Sequence, residues 1–377
     1  MEKVKLSDIF ELQMGKTPAR NKGEYWGGDN QWVSIADLSN SGKYIEKTKE
    51  YITDKAIEES GIKNVPENTI IMSFKLSIGK TAITKKKIYT NEAIMAFIDK
   101  KVYPLDIDYL YHFFSGVDWS EGSNKAVLGL TLNKATLAQK YISIPSLEEQ
   151  RAIAGKLDKV SELIEKRKAQ LEKLDLIIKS RFIEMFGDKG YPEDTLLNLC
   201  NIIDYRGKTP EKVENGLPFI TAKNVKMHQM NLEPREYISK ETYDKVMVRG
   251  FPKEGDVVFT TEAPLGNVCR IPHFDTEFYI GQRIVTMQTE KLEPIYLEYA
   301  LSSDDFKTKY MEKSSGSTVT GIRVRLLEQL TIPIPPIEEQ YRFATFVEQI
   351  DKSKFEIQKS LEKLETLKKS LMQKYFG

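Results

Sequence analysis

The stretch ISIPSLEEQRAIAGKLD at residues 142–158 returns as TIPIPPIEEQYRFATFVEQID at residues 331–351. Each copy joins a short apolar run to a proline turn, a Glu-Glu-Gln step and a long segment of Leu, Ile, Lys and Glu. Both long segments end in Phe-Gly, at Phe186-Gly187 and Phe376-Gly377. A repeat of this size fixes the architecture before any single motif does. From Gln150 to Gly187 the second copy follows at a constant offset of 190 residues, Gln150 answering Gln340. Upstream the offset drifts, as loop insertions would make it. Gly15-Lys16-Thr17-Pro18 answers Gly207-Lys208-Thr209-Pro210, WVSIADL from Trp32 resembles FITAKNV from Phe219, and the turn SIGK (77–80) falls in register with PLGN (264–267).

The long segments carry a heptad pattern. Leu157, Val160, Ile164, Leu171, Leu174 and Ile178 step by threes and fours with one skipped position, and Val347, Ile350, Ile357, Leu361, Leu364 and Leu371 do so with two. Sustained spacing of this kind, with Lys and Glu elsewhere, is the seam of a coiled coil. Polar interruptions fall at Arg167 and Arg181 in one copy and at Lys354 and Lys368 in the other, so each seam faces a different sequence. Ser146 with Glu149 makes a capping box, and the closing glycines are helix stops. A helix from about Leu147 to Phe186 is roughly 60 Å long at 1.5 Å per residue. Such a stripe needs a partner, and the other copy is the nearest one. The expected arrangement is an antiparallel two-helix coiled coil with a module at each end.

These features divide the chain into residues 1–147, 148–187, 188–337 and 338–377: module, long helix, module, long helix. Runs such as VPENTIIMSF, KKKIYTNEAIMAFI and AQKYISIP in the first half, and GDVVFTT, FYIGQRIVTMQ and LLEQLTIPIP in the second, read as strands. Helices are expected at 54–61, 106–115, 239–248 and 294–310. The fold class is therefore α+β (mixed α/β), with two similar modules separated by the coiled coil.

Composition narrows the function without naming it. The chain has 377 residues, 40% of them hydrophobic and 29% charged, with a net charge of +1. No apolar run has the length of a membrane span, and the N-terminus MEKVKLSDIF lacks a signal pattern. Cys200 and Cys269 are the two cysteines, which fits a reducing cytoplasm. His112, His228 and His273 are far apart in sequence, so a zinc site or histidine-centred catalysis is not expected, and no metal or cofactor is assigned. The Gly-Lys-Thr triplets at 15, 79 and 207 lack the earlier glycine of a phosphate loop, because Phe10, Phe74 and Ile202 stand there. No methyl-donor turn or nuclease cluster is present either. A duplicated fold without catalytic groups points to binding or scaffolding.

The doubled Ile-Pro-x-x-Glu-Glu-Gln segments, their long helices ending in Phe-Gly, and the paired Gly-Lys-Thr-Pro turns resemble the specificity (S) subunits of type I restriction–modification systems. The resemblance spans the whole chain. It implies two target-recognition domains, each reading one half of a split, asymmetric site on double-stranded DNA. It further implies that two adenine-methyltransferase (M) subunits dock on the coiled coil, that restriction (R) subunits can join, and that the S subunit performs no catalysis. Two other readings stay open: the specificity subunit of a fused, type II-like system, and a coiled-coil adaptor whose modules bind protein.

Recognition requires cations and small polar groups for phosphates, and Arg, Lys, Asn or Gln for base edges. In the first module these criteria select Lys16, Lys75, Ser77, Lys80, Asn124 and Lys125. In the second they select Lys208, Lys223, Asn224, Arg270, Ser315, Thr318, Arg323 and Arg325.

Overall fold

Ile70–Ser73 and Val257–Thr260 are buried at every position, as the central strand of a sheet covered on both faces must be. The computed structural model describes residues 2–75, 77–119, 124–126, 129–205, 207, 210–316 and 320–377. It forms two compact units, residues 1–168 with 359–377, and residues 169–358. Each unit therefore holds a module, the head of the long helix that follows it, and the tail of the other long helix. Among the described residues no helix is long and apolar enough to cross a membrane.

In the first unit a five-stranded sheet has the order Phe10–Met14, Ile94–Asp99, Ile70–Ser73, Thr81–Thr84, Tyr44–Ile45. The last pairing is parallel and the others antiparallel. Alternation along the strands divides the core in two. Phe10, Leu12, Ile70, Met72, Met95 and Phe97 face the helix Ile107–Gly116, while Ile71, Ala82, Ile94 and Ala96 pack on Val33, Leu38, Val65 and Ile88.

In the second unit a four-stranded antiparallel sheet runs Asn201–Asp204, Ile284–Gln288, Val257–Thr260, Val268–Arg270. Val257, Phe259, Val285 and Met287 face the helices Pro294–Ser302 and Asp304–Lys313; Val258, Cys269 and Ile284 face Ile220, Val225 and Ile280. The register repeats that of the first unit. Ile71 pairs with Ala96 as Val258 pairs with Thr286, and Met72 with Met95 as Phe259 with Val285.

Four expectations need correction. FYIGQRIVTMQ is broken into Tyr279–Ile280 and Ile284–Gln288 by a turn at Gln282-Arg283. The helix expected over 294–310 is two helices, because Ser303 is extended (φ −65°, ψ 152°) and its hydroxyl caps the second by accepting from Phe306 N. LLEQLTIPIP is a helical turn, Val324–Leu327, followed by the short strand Thr331–Pro333. KKKIYTNEAIMAFI is broken into Tyr89–Thr90 and Ile94–Asp99 by a turn at Asn91.

The long helices are Leu147–Phe186 and Ile337–Phe376. The first starts on the Ser146–Glu149 capping box, Glu149 N donating to Ser146 Oγ at 3.2 Å and Ser146 N to Glu149 Oε2 at 3.1 Å. Gly187 N and Gly377 N close the ends on Ile183 O and Gln373 O. In the second unit the two helix segments run antiparallel: Asp175 meets Lys354 at 2.6 Å, and farther along the first helix Phe182 meets Phe343, earlier in the second, with ring centroids 5.4 Å apart. The heptad positions are all withdrawn from solvent. Leu157, Val160, Ile164, Ile178, Val347 and Leu361 are buried, and Leu171, Leu174, Ile350, Ile357, Leu364 and Leu371 are half-buried. Each tail ends in an aromatic cluster, Phe376 on Tyr109 and Phe113 in the first unit and Phe186 on Tyr296 and Phe343 in the second.

Candidate nucleic-acid interface

In each module one backbone junction brings three loops together. In the first, Phe74 N donates to Ala93 O at 3.0 Å and Leu132 N to Phe74 O at 3.0 Å. In the second, Thr261 N donates to Arg283 O at 2.8 Å and Ile322 N to Thr261 O at 2.9 Å. A hairpin loop, a turn and a late polar segment thus meet at equivalent positions. The hairpin loops share a scaffold as well. Ser73 Oγ accepts from Lys80 N at 3.0 Å, as Thr260 Oγ1 accepts from Asn267 N at 2.8 Å. Gly79 and Gly266 take left-handed conformations, φ +85° and +89°, where a side chain would be strained and would press on Trp119 or Tyr310.

Each module is also fastened to the head of its long helix. Gln150 is buried; its Nε2 donates to Pro104 O and Pro145 O, both at 3.0 Å, and its Oε1 accepts from Asp106 N at 2.8 Å. Gln340 repeats the latch, donating to Pro335 O at 2.8 Å and accepting from Glu293 N at 3.0 Å. Beside each latch a cation bridges two carboxylates. Lys43 lies 2.8 Å from Asp108 and 2.7 Å from Asp158 of the long helix. Arg270 lies 2.6 Å from Glu298 and 3.4 Å from Asp351 of the long helix. Histidines complete both clusters, His112 at 2.8 Å from Asp158 and His228 at 2.9 Å from Glu298. Burial pushes the His112 pKa down and outweighs the pull of Asp158 the other way. Burial would raise Asp158, but hydrogen bonds from Lys43 and His112 hold it below its ordinary value.

Residues 1–173 and 193–369 match the family described as the type I restriction modification DNA specificity domain. The chain belongs to this family. Among its curated relatives, the type I restriction enzyme MjaIX specificity subunit of Methanocaldococcus jannaschii is 26% identical, over 98% of this chain and 91% of that one. The type I restriction enzyme EcoprrI specificity subunit of Escherichia coli is 22% identical, over 93% and 88%. Among solved structures, a chain from a type I R-M system has a TM-score of 0.61 at 19% identity, covering 100% of this chain and 97% of that one. The type I restriction-modification S subunit from M. genitalium has a TM-score of 0.55 at 15% identity, covering 100% and 96%. At these identities the two structures establish a shared fold.

Within the specificity domains, part of the expected set falls on the junction loops. Lys75, Ser77 and Lys80 are on the first hairpin loop, Ser77 and Lys80 exposed. Asn124 and Lys125 are on the strand Asn124–Ala126, paired with Gly129–Thr131 in the late segment of the same junction. In the second domain Ser315 and Arg323 are exposed and border one hollow with Thr261 and Arg283, while Lys223 borders the adjoining hollow with Gln282 and Arg283. Arg325 is exposed on the turn that follows. Lys16 lies beside the junction turn, its backbone N donating to Thr90 O at 2.8 Å, but its ammonium turns to Ser60 O. Lys208 and Thr318 lie outside the described residues.

Two expectations do not survive placement. Asn224 is buried, with Oδ1 accepting from Thr221 N at 2.9 Å and Nδ2 donating to Asn231 O at 2.9 Å, so it shapes a turn. Arg270 is committed to Glu298 and Asp351 and fastens the domain to its helix. Sequence reading missed the bridging clusters and the Gln282-Arg283 turn. The repeat register held a signal for the first, since Asp108 and Glu298 share the 190-residue offset. It held one for the second too: Asn91-Glu92-Ala93 stands where the other domain has Gly281-Gln282-Arg283.

Proposed function

We propose that this protein is the DNA sequence-specificity subunit of a type I restriction–modification complex. Each specificity domain reads half of a split, asymmetric site through its junction loops, and the chain itself performs no catalysis. The observation that carries this reading is the junction itself, built twice on the same backbone scaffold and furnished with different polar side chains. Lys75 and Lys80 serve the first half-site as phosphate contacts, and Lys223, Ser315, Arg323 and Arg325 serve the second. A single base contact supplies about 1–3 kcal/mol of discrimination, whereas specific binding calls for roughly 4–10 kcal/mol. Two readers on one chain add their contacts, which gives the duplication its physical use.

The paired helices set the gap between half-sites and receive two methyltransferase subunits; restriction subunits join that complex. Solvent-facing Leu163 and Leu367 in the first unit, and Leu176, Ile177 and Phe355 in the second, support a helical docking partner. Co-expression with a type I methyltransferase subunit from the same host, followed by methylation mapping, tests the reading. Lys75→Ala with Lys80→Ala lowers methylation at all sites with an unchanged motif, and the salt dependence of binding weakens by about one unit of slope per lost phosphate contact. A changed motif would mean that these lysines read bases. Adding one heptad to both helices lengthens the spacer and keeps both half-motifs; an unchanged spacer refutes the ruler role.

A further inference from the structure

Arg283 holds a left-handed backbone, φ +76°, which few non-glycine residues adopt and which persists where the surroundings demand it. It lies in the turn between Tyr279–Ile280 and Ile284–Gln288, exposed to solvent. Its Nε is 2.8 Å from Glu262 Oε1 on the adjacent hairpin loop, which fixes the guanidinium. Two hollows of about 330 and 230 Å³ share Gln282 and Arg283 as a common wall. A phosphate contact gains nothing from a carboxylate at its edge, because that carboxylate repels the phosphate. A G·C pair is different. In the major groove guanine offers acceptors at O6 and N7, and cytosine offers a donor at N4. An arginine beside a glutamate is complementary to that pattern.

Building on the DNA-specificity reading, we propose that Arg283 and Glu262 together read one G·C base pair in the half-site taken by the second specificity domain. The first domain has Ala93 and Lys75 at the equivalent positions, so it reads its own half-site without this pair.

The test is methylation mapping with the full chain and its methyltransferase. The unmodified complex gives a two-part motif with a fixed G·C in one part. Arg283→Gly removes the side chain and relaxes the backbone, and the motif loses selectivity at that one position by roughly 5- to 150-fold, with the other half intact. Arg283→Lys does the same, because an ammonium keeps the charge and lacks the two-pronged fork. Glu262→Gln reduces selectivity at the same position. An unchanged motif in both Arg283 variants overturns the proposal, as does full rescue by lysine or a uniform loss of methylation with the motif kept. Failure of both variants to assemble with the methyltransferase on gel filtration marks Arg283 as structural and also overturns it. Absence of any two-part motif from the unmodified complex would instead overturn the specificity reading itself.

Discussion

Gln150→Ala should unfasten the first specificity domain from its helix. The substitution removes two donated bonds, to Pro104 O and Pro145 O, and one accepted bond, from Asp106 N. Pro145 is buried and its carbonyl would stay unpaired, at a cost of about 1–3 kcal/mol. Pro104 is exposed and Asp106 half-buried, so water recovers part of those losses, leaving about 1 kcal/mol each. The sum is about 3–5 kcal/mol. Gln340→Ala loses the bonds to Pro335 O and from Glu293 N, which predicts a cost about 1 kcal/mol smaller in the second unit. Gln150→Glu keeps an acceptor for Asp106 N but sets a carboxylate against two carbonyl oxygens, so it gains nothing over alanine at neutral pH. Urea unfolding gives the magnitudes, and amide hydrogen exchange at Asp106 reports the latch itself. A full-strength unfolding midpoint with Asp106 still protected would refute the latch. So would a defect confined to assembly with the methyltransferase, which would make the Glu-Glu-Gln step a partner contact.

His112 sets a pH dependence. Because its folded pKa lies below 6.5, the unfolded chain takes up the proton first, so this stability is present above pH 6.5 and is lost as pH falls toward the folded value. His112→Gln should flatten the difference in urea midpoint between pH 7.5 and 5.5; an equal difference in both proteins would count against it. Gly266→Ala should destabilise more than Gly255→Ala, since both glycines are left-handed but only at Gly266 does a new Cβ fall 2.2 Å from Tyr310 Oη. The Gly255 change costs about 1–2 kcal/mol of backbone strain alone, and equal unfolding midpoints for the two variants would refute the close approach at Gly266.

The parts of the molecule legible in the sequence were those that repeat a period or a fixed offset. The seam from Leu157 to Ile178 and its counterpart from Val347 to Leu371 showed as heptads, because burial along a helix repeats with its turn. The central strands showed as apolar runs bounded by turns. Ser303 did not, because one serine cannot be told from a helix-interior residue until its hydroxyl is seen accepting from Phe306 N. Asn224 and Arg270 were chosen by residue type, and type does not say which way a side chain turns. Both turn inward, Asn224 into a local turn closed with Thr221 and Asn231, and Arg270 onto Glu298, a partner distant in sequence.

Divergence between the two domains follows the physics of each contact. The Gln150 and Gln340 latch bonds backbone groups, whose positions are set by the fold, so the residue is the same in both copies. The bridging cluster needs only opposite charges within reach. Its shared acid stays in register, Asp108 with Glu298, while its helix carboxylate moves about one turn, since Asp158 corresponds to Glu348 and the second copy uses Asp351. The hairpin loops keep Ser73 or Thr260 and Gly79 or Gly266, the residues that hold their shape, and change what the shape presents. Lys75, Ser77 and Lys80 are replaced by Glu262, Pro264 and Asn267. On the proposed reading, two loops built on one scaffold but carrying different side chains are suited to different DNA surfaces. Different half-sites follow from that reading, which is the asymmetry that a split target requires.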